Sequence, residues 1–319
     1  YKARNRGVYW HIFKNILSYL RKKLLFCGPI WIKKMKVEKK IVELQNELNA
    51  ARNAGKSIGF VPTMGALHEG HASLIKRSVQ DNDITVVSVF LNPTQFNDKA
   101  DLERYPKTLD EDVRLAEACG ADYVFAPAVE EIYPEPDTRV FEFPPVTTVM
   151  EGARRPGHFN GVCQVVSRLF TIVAPDNAYF GEKDWQQIAV IKQLVDYMNS
   201  NITIVECPII READGLAMSS RNKLLTKEER AIAPAIYQAL KDSLDYSKTH
   251  SVKETHDKVV AEINAIDGLE VEYFEIVDGK TLLAVDDWTS EHGVVGCITV
   301  YCGMTPIRLI DHIRYRKGK

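Results

Sequence analysis

Two histidines three positions apart, His68 and His71, are the side chains in this sequence best placed to bind an anion. They follow a short apolar run at residues 58–61 and precede a helical pattern, so the predicted order is strand, turn and helix. A helix N-terminus carries unpaired N–H groups and the positive end of the helix dipole, and two imidazoles would add donors there. Gly70 between them would let a ligand approach the backbone. The pattern predicts a phosphate site, and therefore a nucleotide.

Two more segments carry polar groups just after predicted strands. Asn92 and Gln95 have neutral amides that can hydrogen-bond a carboxylate or a hydroxyl, although taken alone they fit a simple turn better. Lys183 stands at a strand-to-helix turn, where a point charge could meet a phosphate. Asp184 would cap the following helix, with Gln187 completing a pattern like a capping box on its first turn.

A fourth segment places Ser219, Ser220 and Arg221 together in a loop after Gly215. Small hydroxyl groups beside an arginine suit a phosphate, and a serine-rich turn is an equally good interpretation of the loop by itself. The histidine spacing would also suit zinc, but the sequence offers no third ligand nearby. A phosphate site therefore remains the better hypothesis.

Strand and helix patterns alternate from residue 36 to residue 206. The predicted strands cover residues 58–61, 84–91, 123–125, 178–180 and 202–206. The predicted helices cover residues 37–53, 70–80, 108–118 (opened by a capping box at Thr108), 161–173 and 184–198. This succession predicts an α/β fold with a doubly wound parallel sheet, in which ligands bind at the carboxyl ends of the strands.

The pattern changes after Pro208. Helices are predicted from a capping box at Thr226 to residue 240 and over residues 252–266, and strands follow near 269–277, 294–301 and 307–311. We therefore expect two domains, a Rossmann-like domain at residues 35–209 and a smaller α+β domain at residues 210–319.

Charge is distributed unevenly along the chain. The formal net charge is −2, yet residues 1–34 contain nine Lys or Arg and no Asp or Glu. The remainder is acidic, which argues against a nucleic-acid-binding surface and requires a local cluster of cations for any anionic substrate. None of the six cysteines forms a Cys-x-x-Cys pair, so reduced thiols in a cytosolic protein are the simple expectation.

Residues 1–34 look foreign to the rest of the chain. Their apolar residues recur at helical spacing among basic ones, as in a transit peptide or a helix that lies on a membrane surface. No run there is long enough to span a bilayer. Because Met35 resembles an ordinary start, we favour the interpretation that this basic extension is not part of the fold.

Five strings taken together resemble the pantothenate synthetase family, the AMP-forming pantoate–β-alanine ligases. They occur in the family's order, cover roughly residues 36–319, and lie at residues 61–71, 92–96, 155–162, 180–184 and 215–222. The chain departs from the family in residues 1–34 and at Trp185, a position often held by tyrosine.

The resemblance implies a nucleotidyltransferase fold of the HIGH type with a C-terminal lid. It implies that pantoate attacks ATP to give pantoyl adenylate and pyrophosphate, and that β-alanine then displaces AMP to give pantothenate, a step towards coenzyme A. It also implies Mg²⁺ accompanying ATP, no protein metal site, a cytoplasmic homodimer, and no nucleic-acid or membrane partner.

The resemblance assigns roles to residues of all the motifs. The catalytic side chains would be His68, His71, Lys183 and Arg221. The ATP-binding residues would be Met64, Gly65, Ala66, Leu67, His68, Glu69, Gly70, His71, Gly181, Glu182, Lys183, Asp184, Ile210, Met218, Ser219, Ser220 and Arg221. Pantoate and β-alanine would be bound by Asn92, Gln95, Gln187 and Met64.

Two other functions use some of the same residues. A nucleotidyltransferase that makes a dinucleotide or a CDP product would keep the two histidines, but it would not need Asn92, Gln95 and Gln187. A nucleotide-binding regulator without catalysis would not need the full set of phosphate-site residues. Turnover and the substrates that release pyrophosphate would separate these functions.

Overall fold

A six-stranded parallel sheet forms the N-terminal part of the protein in a computed structural model that describes residues 35–96 and 99–318. Its strands are β1 (Lys36–Glu38), β2 (Ile58–Thr63), β3 (Ile84–Val89), β4 (Tyr123–Phe125), β5 (Asn177–Gly181) and β6 (Thr203–Cys207). Every neighbouring pair is parallel, and the order across the sheet is β1-β4-β3-β2-β5-β6. The predicted doubly wound sheet is confirmed.

Helices cover both faces of this sheet. They are α1 (Ile41–Asn53), α2 (Glu69–Asp81), α3 (Lys99–Arg104), α4 (Leu109–Ala118), α5 (Val129–Ile132), α6 (Met150–Arg154), α7 (His158–Val173) and α8 (Trp185–Tyr197). Strand residues alternate between two apolar clusters, with Phe60 and Val86 in one and Val61 and Val87 in the other. Strands buried on both faces account for the continuous apolar runs in the sequence.

The order in which strands are added to the sheet reverses at β2. The chain leaves β2 for β3 on one side, and it later places β5 on the other side of β2. Such a switch point opens a crevice at the carboxyl ends of the two strands. The turn before α2 follows β2, and Lys183 follows β5, so the topology brings these two motifs together.

The C-terminal part contains helices α9 (Lys227–Ile232), α10 (Ala235–Tyr246) and α11 (Val252–Asn264) and an antiparallel sheet. The sheet consists of β7 (Leu269–Asp278), β8 (Gly293–Cys302) and β9 (Ile307–Lys317), in that order. This part has an apolar cluster of its own, while Tyr273 and Val295 join the core of the N-terminal part. The smaller α+β unit is confirmed, and the exact boundary at 209/210 stays a prediction.

The structure corrects four local predictions. Residues 36–38 form strand β1 beside β4, and α1 begins only at Ile41, whose N–H bonds the Glu131 carboxylate at 2.9 Å. Thr108 does not cap α4 with its side chain; its hydroxyl bonds Asp112 at 3.2 Å. Asp184 precedes α8 without a capping bond.

The fourth correction concerns the helix predicted for residues 226–240. Thr226 and Glu229 do form the predicted capping box, but the helix breaks between Ile232 and Ala235 at Pro234, which has no N–H to continue it. The prediction for residues 1–34 lies outside the described residues. No helix in the part of the chain that the structure describes is long and apolar enough to cross a membrane.

Candidate active site

His68 and His71 cap the N-terminus of α2 reciprocally. His68 Nδ1 accepts the N–H of Gly70 at 3.1 Å, and His71 Nδ1 accepts the N–H of His68 at 3.3 Å. The two ring centroids are 4.1 Å apart. Because both Nδ1 atoms accept, each neutral ring must carry its proton on Nε2. The pair therefore offers two Nε2–H donors at the N-terminus of the helix.

Both rings are neutral near pH 7. Burial, followed by the charges of Lys183 and Lys223, lowers the pKa of His68 to about 4. Burial, followed by His68 and Lys183, lowers the pKa of His71 to about 3. The charge of Lys183 thus contributes to the pKa shift of both rings. Lys223, which the sequence analysis missed, lies one residue beyond the motif that ends at Asn222.

Asp112 fixes the turn that leads to the histidines. Its carboxylate accepts the N–H of Leu67 at 2.7 Å and that of Ala66 at 3.1 Å. Ala66 has a φ of 51° in the left-handed region, which is unfavourable for a residue with a Cβ. Asp112 comes from α4, is 1% exposed and went unnoticed in the sequence, where only the capping pattern around it was considered.

The structure gives a reason for Gly70 that the sequence did not indicate, and the predicted approach of a ligand to its backbone stays a prediction. A Cβ there would lie 2.8 Å from His68 Cε1, so a side chain would displace the ring of its capping histidine. It would also lie 3.8 Å from the Cβ of Met218. The loop that contains Ser219, Ser220 and Arg221 thus packs directly against the turn of the two histidines.

Lys183, Asp184, Gln187 and Arg221 line one cleft with a volume of about 660 Å³. No hydrogen-bond or ion-pair partner of the Lys183 ammonium lies among residues 35–96 and 99–318. Lys183 also borders a small neighbouring cavity together with Ser219. The Ser219 hydroxyl accepts the N–H of Arg221 at 3.3 Å, so its own proton is free to be donated. Neither His68 nor His71 is among the residues that line these two cavities.

Gln95 is buried in a short 3₁₀ turn, Pro93–Gln95, and does not itself line this cleft. Its side-chain NH₂ is 3.0 Å from the sulfur of Met64, and its oxygen accepts from the Asn92 amide at 3.1 Å. Asn92 also donates to the carbonyl of Gly161 and accepts from the hydroxyl of Tyr133. Since the Asn92 amide is occupied by protein groups, it positions Gln95, whereas Gln95 and Met64 adjoin each other as a candidate acid-binding pair.

Gly161 makes this arrangement possible. A Cβ at Gly161 would lie 2.4 Å from the carbonyl oxygen of Thr94, inside any allowed contact distance. Only glycine lets α7 approach the turn that contains Gln95 so closely.

Arg155 and His158 were part of a matching string in the sequence but had been assigned no role. Both line the cleft. Arg155 Nη1 is 3.2 Å from His158 Nε2, and His158 Nδ1 is 2.9 Å from the carbonyl oxygen of Gln95. Because an arginine can only donate, Nε2 accepts and Nδ1–H donates to Gln95. Burial, and then the charge of Arg155, lowers the pKa of His158 to about 4, which is consistent with this neutral tautomer.

Three further predicted residues, Glu182, Ile210 and Ser220, have hydrogen-bond partners within the protein. Glu182 directs its carboxylate to Arg314 on β9, so it is not available to a ligand as a free charge. Ile210 accepts the N–H of Met218 at 3.0 Å, which closes the loop that ends at Arg221. The Ser220 hydroxyl is 3.5 Å from that of Tyr105. No group of three or more possible metal ligands occurs among the described residues.

The sequence matches a family model described as pantoate-beta-alanine ligase over residues 36–314. A protein of Bacteroides fragilis (strain YCH46) named pantothenate synthetase is 60% identical over 284 residues, which cover 89% of this chain and 100% of that protein. A pantothenate synthetase of Porphyromonas gingivalis (strain ATCC BAA-308 / W83) is 56% identical over 88% of this chain and 99% of its own length.

Two solved structures are similar over most of their length. The crystal structure of pantothenate synthetase from Thermus thermophilus matches with a TM-score of 0.82 and 41% identity, covering 88% of this chain and 99% of that one. The ligase from Francisella tularensis, crystallised with beta-gamma ATP and beta-alanine, matches with a TM-score of 0.74 and 35% identity, covering 88% and 98%.

Proposed function

This chain belongs to the pantoate–β-alanine ligase family, which forms pantothenate from pantoate and β-alanine with ATP, and we propose that it adenylates pantoate at the switch point beside Lys183. The observation that carries this proposal is the neutral histidine pair, whose two Nε2–H donors lie at a helix N-terminus after β2, and β2 neighbours the strand that precedes Lys183. Such donors stabilise charge that grows on phosphate oxygens during the reaction.

The phosphates of ATP bind between the turns after β2 and β5 on one side and the loop of Ser219 to Arg221 on the other. His68 and His71 donate from the turn after β2, and Lys183 supplies a positive charge after β5. Arg221 lines the cleft, Ser219 lines the small cavity beside it, and these two residues and Ser220 contribute from the loop after Gly215. The backbones of residues 64–71, of Gly181 to Asp184 and of Met218 shape the pocket, and the backbone of Ile210 contacts the adenine.

Pantoate binds with its carboxylate directed at the α-phosphorus. Gln95 and Gln187 hold its polar groups as neutral hydrogen-bonding amides, and the thioether of Met64 packs against its apolar methyl groups. Attack of the carboxylate forms the bond to phosphorus and releases pyrophosphate. The amine of β-alanine then attacks the acyl carbon, and AMP leaves with the electrons of the broken C–O bond.

Mg²⁺ is the divalent ion that we expect to arrive with ATP. An ion that keeps most of its waters needs only one or two protein carboxylates, and Asp184 lines the cleft next to Lys183. When bound, Mg²⁺ would neutralise charge on the β- and γ-phosphates.

We propose further that the protein is a cytoplasmic homodimer. The five described cysteines are free thiols, as in a reducing compartment. Residues 138–143 supply a candidate dimer surface, because Phe141 and Phe143 direct their N–H groups inward to Asn160 and Thr147. Val140, the residue before Phe141, is 70% exposed. Its backbone groups have no partner within the described part of the chain. Such an edge suits antiparallel pairing with a second copy.

Isotope exchange between ATP and pyrophosphate tests the reaction order. With Mg²⁺ and pantoate alone, the protein should exchange labelled pyrophosphate into ATP, and pantothenate should appear only after β-alanine is added. An absolute requirement for β-alanine in the exchange would refute the adenylate. Exchange without any carboxylic acid would instead indicate a nucleotidyltransferase of another kind, and no turnover at all would indicate a nucleotide-binding regulator.

A further inference from the structure

We propose that Glu151 is a positioning residue that couples the seating of the C-terminal sheet to the side chains that hold pantoate. The inference rests on the placement of pantoate beside Gln95 and Gln187 proposed above. It adds a chain of contacts through which the position of the C-terminal sheet over the cleft would affect the groups that bind the acid. A well-seated sheet would then keep water away from the adenylate.

Glu151 is a carboxylate of α6 that is held by the C-terminal sheet. The guanidinium of Arg308 on β9 donates to both of its oxygens at 2.6 Å. The hydroxyl of Tyr273 on β7 donates at 2.8 Å and that of Thr299 on β8 at 3.1 Å. Each of the three strands therefore contributes one side chain to the same carboxylate.

This contact is strong because it is both buried and paired. Glu151 is 9% exposed, and burial alone would raise the pKa of its carboxyl group, but the bonds from Arg308 hold that pKa at about 2. Removing one partner of such a pair leaves the other charged and desolvated. The sheet is thus favoured in the one position in which all three strands reach Glu151.

From Glu151 a chain of contacts leads to Gln95. The Arg155 guanidinium is 3.7 Å from the Glu151 carboxylate, and its Nη1 donates to His158 Nε2. His158 in turn donates to the carbonyl of Gln95. Because His158 is neutral and can accept on only one nitrogen, Arg155 selects the tautomer that bonds Gln95.

A second route leads from the backbone of Glu151 to Gln187. The N–H of Glu151 donates to the side-chain oxygen of Gln186 at 3.0 Å. The NH₂ group of Gln186 donates to the carbonyls of Val146 and Val149, each at 2.8 Å. Gln186 is buried, whereas the next residue, Gln187, faces the cleft. Gln95 and Gln187, the two amides assigned to pantoate, are therefore both connected to Glu151, which is bonded to all three strands of the C-terminal sheet.

A loosened sheet should be detectable as loss of the intermediate. If water reaches pantoyl adenylate, it adds to the acyl carbon and the bond to the phosphate oxygen breaks, which returns pantoate and AMP and releases a proton. AMP formation then exceeds pantothenate formation. A purely structural defect would lower the two products together.

The test uses Glu151→Gln in the full-length protein, with AMP and pantothenate measured in the same reaction. We expect more than one AMP per pantothenate and an increase of about fivefold or more in the pantoate KM, with the ATP KM changed by less than about twofold. Glu272→Gln is the matched control, since Glu272 on β7 pairs with the same arginine but stays within the sheet. It should keep the products equal.

Equal AMP and pantothenate with an unchanged pantoate KM in Glu151→Gln would overturn the proposal. Should that variant fail to fold, the pair Tyr273→Phe and Thr299→Val removes two donors while keeping the charge pair, and the same two outcomes apply. Gln187→Ala separates this inference from its premise. An unchanged pantoate KM in Gln187→Ala would refute the placement of pantoate, whatever Glu151→Gln shows.

Discussion

We propose that His68 and His71 stabilise an anion as neutral donors and not as cations. Their Nδ1 atoms are occupied by backbone N–H groups, and burial keeps both rings unprotonated at pH 7. In this proposal, Lys183 supplies the positive charge and the two histidines supply directed hydrogen-bond donors. A neutral donor costs less to bury than a cation and still points at a developing negative charge.

Alanine substitution at His71 or Lys183 tests these roles. Each variant should lower kcat by about 100- to 1,000-fold, because a preorganised donor at such a site is worth about 3–4 kcal/mol. The melting temperature should change little for Lys183→Ala, whose ammonium has no partner among the described residues. Steady-state kinetics and thermal unfolding measure the two effects. Turnover near that of the unmodified protein in either variant would show that the phosphates bind elsewhere.

At the scale of elements, the candidate site residues lie on short connections that neighbouring helices hold in position. The turn between β2 and α2 is shaped from outside by Asp112 of α4, and the turn of Gln95 is reached by α7 through Gly161. The segment at residues 138–143 shows the opposite case, because the N–H groups of Phe141 and Phe143 bond to Asn160 and Thr147, whereas the backbone groups of Val140 have no partner among the described residues. A second copy of the chain would satisfy them.

Val140→Lys tests this element as the dimer surface. A lysine at the centre of an exposed edge opposes pairing with an identical edge, so the variant should be a monomer at concentrations where the unmodified protein is a dimer. Sedimentation equilibrium distinguishes the two. Val42→Lys is the matched control, since Val42 is 66% exposed on α1 and should leave the mass unchanged. A dimeric Val140→Lys variant would exclude this surface.

For the whole molecule, buried histidines link stability to pH. Burial, as the first cause in each case, lowers the pKa values of His68, His71, His158 and His312 from 6.5 to between about 3 and about 4. The unfolded chain takes up protons at these positions below about pH 6.5, whereas the folded protein does not until the pH is far lower. Their contribution to stability is therefore complete above that pH and is lost as the pH falls.

The free energy of unfolding should accordingly decrease from pH 7 to pH 5. Urea unfolding at a series of pH values measures the slope. His312→Asn should reduce that slope by about 1.4 kcal/mol per pH unit, the value for one proton. His312 suits this purpose because its buried Nδ1 has no hydrogen-bond partner among the described residues. Stability independent of pH over this range would contradict the assignment of neutral buried histidines.

The sequence alone predicted the fold class and the phosphate-binding motifs. Both depend on local patterns, since alternating strands and helices imply a parallel sheet and the spacing of His68 and His71 around a helix start is visible in the chain itself. The order of the motifs also predicted the family, and the family predicted the reaction. The roles assigned to individual residues remain predictions.

Only the tertiary structure decided how these groups are held. Asp112 and Glu151 act on residues 45 and 157 positions away, at Leu67 and Arg308, and nothing in the local pattern around either carboxylate indicates such a partner. The start of α1 likewise depends on Glu131, 90 positions from Ile41. A hydrogen bond between distant residues depends on how the elements pack, and the short-range periodicity that identifies each element contains no information about it.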